Sequence, residues 1–555
     1  MKKSLIIFVI SLFIFSTCSV LDSQEDNSKI AVGKYGIVSS AHPLASGAGI
    51  EMLKTGGNAF DAMIAVASVL NVVEPNMSGL GGYGTVLIYD ARKDEVRFLN
   101  CSGKIPAAVD ADLYRPPTPG YELNRRGAKA VSTPGNLNAW KLLHDQYGRV
   151  EWSELFQSAI KMAEKGVRVS PSLAGSISSA WDSFPEHARK IYGRNGSPLK
   201  SGKILIQSDL ANTYKNISMN GVSGFYSGPL AGIINQAMVY AGGFLSIDDL
   251  MNDQARWWDP VSIIYRDHTV YTAGPPATAF SSLVRLGIMS QYNTQDMGHN
   301  SQEYLHVFAE VTKIAYENRI RFAGDPEVKG PPLDRLLSEE YWDAMSESID
   351  PAIVNLYEYQ GLEHEESMNT THFVIADKYG NIVCATQTLG NSFGSMIMPE
   401  GTGIWLNNSL RYCTFEPAGN AMDAHAGRHK LSGDCPTIIF KGGKPVVAVG
   451  TPGGHTIGQN VPQIVMNIID FGMSLYDAID APKICFVEPD QMHFESGIPD
   501  NIIEKLTGLG HNIADQSYGI GNAHGLVIEY DDTGKITGFT GVSDPRGNGS
   551  AAGCY

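Results

Sequence analysis

The chain has 555 residues, 43% hydrophobic and 18% charged, with a formal net charge of −16. That apolar content supplies a large core and excludes a disordered chain, while an acidic balance without a Lys/Arg cluster excludes a nucleic-acid partner and leaves a small-molecule substrate. Length alone suggests several domains, but 59 glycines and mixed helix and strand signals fit one large α/β body equally well.

Met1-Lys2-Lys3 followed by the apolar run Leu5 to Phe15 has the form of an export signal, with an apolar stretch too short to span a bilayer comfortably. Residues 1–18 are therefore expected to direct the chain to the periplasm or the exterior. Cys18, in Phe15-Ser16-Thr17-Cys18, loosely resembles a bacterial lipoprotein box with Phe in place of the usual Leu, and lipid anchoring is the weaker reading. Residues 19–29 read as a polar tether, with structure starting near Ile30. The other six cysteines, Cys101, Cys384, Cys413, Cys435, Cys485 and Cys554, are dispersed without C-x-x-C and read as core thiols.

Ile37 to Pro43 reads as a short strand running into a helix. Ala45 to Lys54 and Asn58 to Leu70 follow as a helix pair, broken by Thr55-Gly56-Gly57. Ser78 to Gly84 satisfies the G-x-G-x-x-G spacing, but it follows a helix and opens the β-like run Thr85 to Tyr89. A dinucleotide loop has the reverse order, so a glycine turn of close backbone approach is expected. Arg115 to Gly120 reads as a Pro-rich surface loop and Trp140 to Gly166 as helical with a turn at Tyr147-Gly148. Leu210 to Met219, Leu230 to Ala241 and Gln302 to Arg321 have helical patterning. Strand-like runs dominate later, at Phe373 to Ala376, Ile382 to Thr388, Thr437 to Phe440 and Pro445 to Val449, before helices at Gly458 to Asp470 and Ser474 to Ala481.

Asn369-Thr370-Thr371-His372 precedes one of these strands, and on the residues alone a Thr-Thr pair more often marks a strand entry. The chemical reading has the Thr370 hydroxyl attacking the Asn369 carbonyl, giving an ester whose hydrolysis frees the Thr370 amine. A free α-amine, with a pKa of roughly 7.7–8.0, can act as general base on its own hydroxyl near neutral pH, so one residue supplies nucleophile and base. Thr451-Pro452-Gly453-Gly454 offers two adjacent amides for an oxyanion, a weak signal by itself. His425 and His429 are spaced for one helical face, but Gly427 and the lack of an H-E-x-x-H pattern favour a surface loop over zinc. No cofactor motif is found.

From about Val38 to Tyr555 the chain resembles the γ-glutamyltransferase family. The resemblance rests on ordered motifs: His42 to Ser46, Gly56 to Ala62, Val73-Glu74-Pro75, Ser78 to Gly84, Pro134-Gly135, Phe225-Tyr226, Gly242 to Leu245 and Asp248-Asp249-Leu250. It continues through Thr370-Thr371-His372, Gly403-Ile404, Asn407-Asn408, Cys435-Pro436-Thr437, Pro452-Gly453-Gly454 and Ser543 to Arg546. It implies the αββα four-layer sandwich of N-terminal nucleophile hydrolases. It also implies a precursor cleaved between Asn369 and Thr370 into a large subunit, 30–369, and a small catalytic subunit, 370–555, intertwined as one globular unit. Thr370 is then the nucleophile, Thr388 the hydroxyl that tunes it, and Gly453 with Gly454 the oxyanion hole. An acyl group from a γ-glutamyl-type amide such as glutathione passes to water or an amine acceptor, without a cofactor.

The substrate reader departs from the family pattern. The arginine that clamps the donor's α-carboxylate is Ser102 here, the acidic residue for its α-ammonium is Tyr412, and a neighbouring glutamine is Ser409. The asparagine after Thr388 is Gly390, with Asn391 adjacent, and of a serine pair Ser432 remains beside Gly433. The loop from Phe415 to Ser432 is short and lacks the family's lid. These changes resemble the branch acting on glutaryl-type side chains or small amides such as oxamate, and Arg411, Lys104 or Arg428 are candidates for the missing cation, with a solvated surface side chain an equally good reading of each. A non-catalytic envelope binding protein is the competing class.

Overall fold

The computed structural model describes residues 28–115, 121–356, 369–487, 490–517 and 519–555. The export signal, Cys18, most of the tether and residues 116–120 of the Pro-rich loop lie outside the described residues. Among the described residues no helix is long and apolar enough to cross a membrane.

Helices Pro43–Lys54 and Ala59–Val73 meet at the expected break. Asn58 caps the second: its side chain accepts from the Phe60 and Asp61 amides, and its own amide donates to the Asp61 carboxylate at 3.0 Å. That reciprocal arrangement satisfies backbone donors left open at a helix start. Both helices pack on a seven-stranded antiparallel sheet ordered Ser550–Cys554, Gly36–Ser40, Thr371–Asp377, Ile382–Thr388, Tyr83–Asp90, Glu95–Asn100 and Arg256–Trp258. A second seven-stranded sheet runs Ile30–Gly33, Ile536–Ser543, His524–Tyr530, Lys444–Gly450, Thr437–Lys441, His268–Thr272 and Val261–Tyr265.

Side-chain alternation along a strand explains how the sheets stack. Phe373 and Ile375 join the apolar cluster of the first helix layer. Val374 and Ala376, with Cys384 and Leu87 from the neighbouring strands, join a second cluster with Ile439, Val447 and Leu526 of the other sheet. Helices Phe280–Met289, Gln302–Phe322 and Ile457–Ile469 belong to that second cluster and complete the outer layer. The layers thus run helix, sheet, sheet, helix, the αββα sandwich.

The seam between the sheets changes character along its length. On the inward parity, apolar Val374, Cys384 and Leu87 give way to His372, Thr386 and Thr388, Tyr83 and Thr85. The second sheet approaches closely there: a Cβ on Gly450 would lie 2.3 Å from the His372 ring. The glycine turn before Tyr83 is likewise a place of close approach, since a Cβ on Gly81 would lie 2.1 Å from the Trp405 carbonyl oxygen and one on Gly82 2.4 Å from that of Thr388.

The expected helices at 210–219, 230–241, 302–321 and 458–470 are present within a few residues, as are the four expected strands. The stretch from Trp140 to Gly166 divides into Asn136–Tyr147, a 3-10 turn Trp152–Phe156 and Gln157–Lys165. Helix Phe280–Met289 has no counterpart in the sequence reading because every one of its residues is buried, which removes the amphipathic period. The six described cysteines are all buried and unbridged.

Gly82→Ala forces its new methyl into the Thr388 carbonyl. It is expected to lower stability by about 1–3 kcal/mol, read as a reduced urea midpoint at unchanged slope. An unchanged midpoint would contradict the close packing of this turn.

Candidate active site

Thr370 stands just before the strand Thr371–Asp377, at the polar end of the inter-sheet seam, and is 5% exposed. Its hydroxyl is 3.1 Å from that of Thr388, at the end of the adjacent strand. The Thr388 hydroxyl donates to the Asn369 carbonyl at 2.8 Å and accepts from the Gly390 amide at 2.8 Å. A threonine hydroxyl has one donor and two acceptor positions. All three are used here, with Thr370 donating into the second acceptor position. One hydroxyl therefore ties Thr370 to the carbonyl of the peptide bond preceding it.

His372, on the same strand face, bonds Thr386 across the register at 2.8 Å, and burial holds its imidazole well below the usual histidine range. It is a neutral spacer between the sheets, and no proton-transfer role is assigned to it. Beyond Gly450 the chain turns through Gly453 (φ 139) and Gly454 (φ 60) before helix Ile457–Ile469. Consecutive positive φ values of this kind favour glycine.

The residues expected to read the substrate are distributed around this turn and the opposite strand ends. A Cβ on Gly433 would lie 3.2 Å from the Gly454 oxygen, so the serine-pair position and the glycine turn touch. Ser432 is buried and accepts from the Asp434 amide at 3.2 Å. Tyr412 is buried, with the Arg411 guanidinium 5.3 Å from its ring. Ser102 is 4% exposed, and its hydroxyl has no partner among the described residues. The Asn391 amide donates to Asn408 Oδ1 at 2.8 Å, and Asn391 Oδ1 is buried without a partner among the described residues. Ser409 bonds the Ser132 hydroxyl and donates its amide to Asn407 Oδ1, which engages it within the surrounding loops.

Of the three candidate cations, the structure brings one to this place. Arg411 is 7% exposed beside Tyr412. Arg428 is half-exposed and paired with Glu327 at 3.4 Å, and Lys104 lies near Asp253. The sequence reading missed Lys430, which is 1% exposed with its ammonium 2.9 Å from the centroid of the Tyr83 ring. Burial lowers the pKa of Lys430, opposed by Asp434, whose carboxyl burial pushes up. A lysine two residues before Ser432 was the available signal. The segment from Phe415 packs back on residues 105–114, with Phe415 stacked on Tyr114 at 4.7 Å.

His425 and His429 do not converge. His425 bonds the Asn420 carbonyl at 2.8 Å, whereas His429 is buried and its amide donates to Asp325 at 2.7 Å. Asp325, Glu327 and His429 do cluster, but Glu327 is engaged by Arg256 and Arg428. His306, Glu310 and His511 form a second group; His306 spends both ring nitrogens on His511 and the Asp350 carbonyl, and Glu310 pairs with Lys313. Neither group presents an open set of ligands.

The Gamma-glutamyltranspeptidase family model matches residues 45–554. The chain belongs to the γ-glutamyltranspeptidase family. A glutathione hydrolase proenzyme of Bacillus subtilis (strain 168) is 34% identical over 96% of this chain and 93% of its own length. An acylase ACY 1 proenzyme of Pseudomonas sp. (strain V22) is 31% identical over 94% of each. A cephalosporin acylase from Bacillus halodurans superposes with a TM-score of 0.86 at 27% identity, covering 95% of this chain and 97% of that one. The γ-glutamyltranspeptidase of Helicobacter pylori gives 0.55 at 29% identity, covering 59% of this chain and 96% of that one. The chain is thus a self-processing amidohydrolase or acyltransferase of the N-terminal nucleophile class, and its likeness extends to both the glutathione hydrolases and the acylases of the family.

Thr388→Val leaves the Gly390 amide and the Asn369 carbonyl without their shared partner. In the Thr370→Ala background it is expected to cost about 1–3 kcal/mol in a urea titration, with Thr388→Ser restoring most of that loss. Equal loss from both substitutions would show that the methyl group, not the hydroxyl, is what matters.

Proposed function

We propose that the exported precursor cuts itself between Asn369 and Thr370 and that Thr370 then serves as an N-terminal nucleophile on γ-glutamyl-type or related acyl amides. The observation that carries this reading is the hydroxyl chain from Thr370 through Thr388 to the Asn369 carbonyl. In the precursor, the Thr370 oxygen attacks the Asn369 carbonyl, whose oxygen the Thr388 hydroxyl polarises. The C–N bond breaks, the acyl group moves to oxygen, and the hydroxyl proton passes to the departing nitrogen, which is released as the Thr370 amine. Water hydrolyses the ester, leaving the Asn369 carboxylate on the large subunit, 30–369, and the Thr370 amine on the small subunit, 370–555.

The same atoms then act on substrate. The α-amine takes the proton of the Thr370 hydroxyl as its oxygen attacks the amide carbonyl, and gives that proton to the departing amine. The Gly453 and Gly454 amides serve the oxyanion, and Thr388 holds the nucleophile in place. Water or an amine acceptor removes the acyl group. A cleft of about 800 Å³ beside Asn369, lined by serines such as Ser176 and Ser392 and by apolar Met396 and Ile397, gives the departing portion an exit.

A second reading, hydrolysis of donors lacking the α-amine, is favoured by Tyr412 standing where the family places an acidic partner for the ammonium. An ammonium buried without its carboxylate partner costs several kcal/mol. Ser102 and Asn391, each with a buried oxygen that has no partner among the described residues, and Ser432 with Gly433 remain as the polar lining available to the acyl chain.

Intact mass of the exported protein should show two pieces meeting at Asn369 and Thr370. Thr370→Ala should remain one chain and release no p-nitroaniline from either γ-glutamyl or glutaryl p-nitroanilide. An active single chain, or equal turnover by Thr370→Ala, would overturn the proposal.

A further inference from the structure

A nucleophile activated by an adjacent base commonly has that base oriented by a third group. For Thr370 the base is its own α-amine, which exists only after the Asn369–Thr370 bond breaks. A group that orients it would therefore stand at the junction beforehand without a charged partner. Glu74 has that character. It caps the C-terminal end of helix Ala59–Val73, whose last turn carries no basic residue. Its Oε2 accepts from the Thr371 hydroxyl at 3.5 Å, one residue past the nucleophile.

The turn after Glu74 is fastened to the loop that follows Thr388. The Leu389 amide donates to the Met77 carbonyl at 2.8 Å, and the Phe393 amide to that of Asn76 at 3.0 Å. Asn76 Nδ2 in turn reaches Ser176 at 3.2 Å and Ser392 at 3.5 Å. Successive side chains of a strand point to opposite faces. Thr371 shares the parity of Phe373, which joins the helix layer, so Glu74 approaches the junction from that layer while Thr388 holds it from the seam. The Thr370 nitrogen is part of the backbone between them.

Among the described residues no charged side chain balances Glu74. Thr371 and Gln387, paired across the two strands, and Asn76, Ser176 and Ser392 beside the turn are all neutral. Burial pushes the Glu74 carboxyl up to about 8, with the Thr371 hydroxyl opposing it. The C-terminal end of a helix adds partial negative charge, which disfavours an acid there and favours a cation. Self-cleavage creates such a cation next to Thr371, because a free α-amine ionises near neutral pH.

We propose that Glu74 is the positioning residue for the Thr370 α-amine, accepting one of its N–H groups and so directing the nitrogen lone pair at the hydroxyl. This rests on Thr370 being the nucleophile and adds the group that orients its base. In the active form Glu74 is a carboxylate and the amine is neutral. The hydroxyl proton passes to nitrogen as the oxygen attacks, the ammonium so formed is paired with Glu74, and the proton then goes to the departing amine. Glu74 ends the cycle as it began.

Glu74→Gln keeps the side chain's size and an acceptor for Thr371 while removing the charge. Self-cleavage, in which no amine yet exists, should proceed by intact mass. On the faster of the γ-glutamyl and glutaryl p-nitroanilides, kcat should fall about 10- to 100-fold, the range of one charge-assisted hydrogen bond, with KM little changed. A nearby carboxylate raises an amine's pKa, so activity that needs the free amine is lost as pH falls through that raised value. Removing the charge lowers the value, and the acid limb of kcat should move to lower pH by about one unit. Glu74→Asp, which keeps the charge at shorter reach, should lower kcat while leaving the limb near its wild-type position.

A role confined to holding Thr371 would give Glu74→Gln the wild-type kcat and pH profile, and that result would overturn the proposal. So would a Glu74→Gln chain that keeps its urea midpoint yet stays uncleaved, because Glu74 would then act before the amine exists. Should Glu74→Gln fail to fold, Glu74→Asp decides, and a wild-type kcat there would overturn the proposal. Turnover persisting in Thr370→Ala would remove Thr370 as nucleophile. An inactive Thr370→Ala with a wild-type profile in Glu74→Gln would remove Glu74 alone.

Discussion

The structure depends on the antiparallel register that sets Thr371–Asp377 beside Ile382–Thr388. Because side chains alternate with a period of two, that register places Val374 and Cys384 in the apolar seam and Thr386 and Thr388 at its polar end in the same stroke. A slip of one residue would turn His372 and Thr386 into the helix layer and the apolar set Phe373 and Ile375 into the seam. The burial that holds the sheets together thus also fixes the distance between Thr370 and Thr388.

Glycines permit this packing at places where any side chain would collide. Gly82 lets one strand entry lie against the Thr388 carbonyl, and Gly450 lets the second sheet approach His372. The result is a seam dry enough to keep His372 neutral and tight enough to hold a hydroxyl in both of its hydrogen-bonding roles. Desolvation then shapes the neighbouring compartment. It depresses Lys430 and raises Asp434, groups that water would otherwise leave fully charged.

Much of this was legible in the sequence where the signal is local. The break at Gly57-Asn58, the rejection of a dinucleotide loop at Ser78 to Gly84 and the four strands around Thr370 follow from turn chemistry and periodicity. Phe280–Met289 was not, because a helix buried on every side has no period to read. The strands His524–Tyr530, Ile536–Ser543 and Ser550–Cys554 also went unread. Motif order located Thr370 and Thr388, and composition alone would have assigned them to a strand entry. Arg411, Lys104 and Arg428 were legible as candidate cations, and of these the structure sets Arg411 beside Tyr412. Lys430 emerges only when residues 102–105 and 428–430 are seen side by side, a pairing that joins segments more than 300 residues apart in the chain.

The central claim is that Thr370, freed as an N-terminus, carries the acyl group. The most direct measurement is rapid acid quenching of the wild type during turnover of a p-nitroanilide, followed by peptide mass mapping. The account predicts the acyl mass on the peptide that begins at Thr370, attached through its hydroxyl and absent when Thr370 is replaced by Ala. An acyl group on any other residue, or on a Thr370 still joined to Asn369, would contradict it.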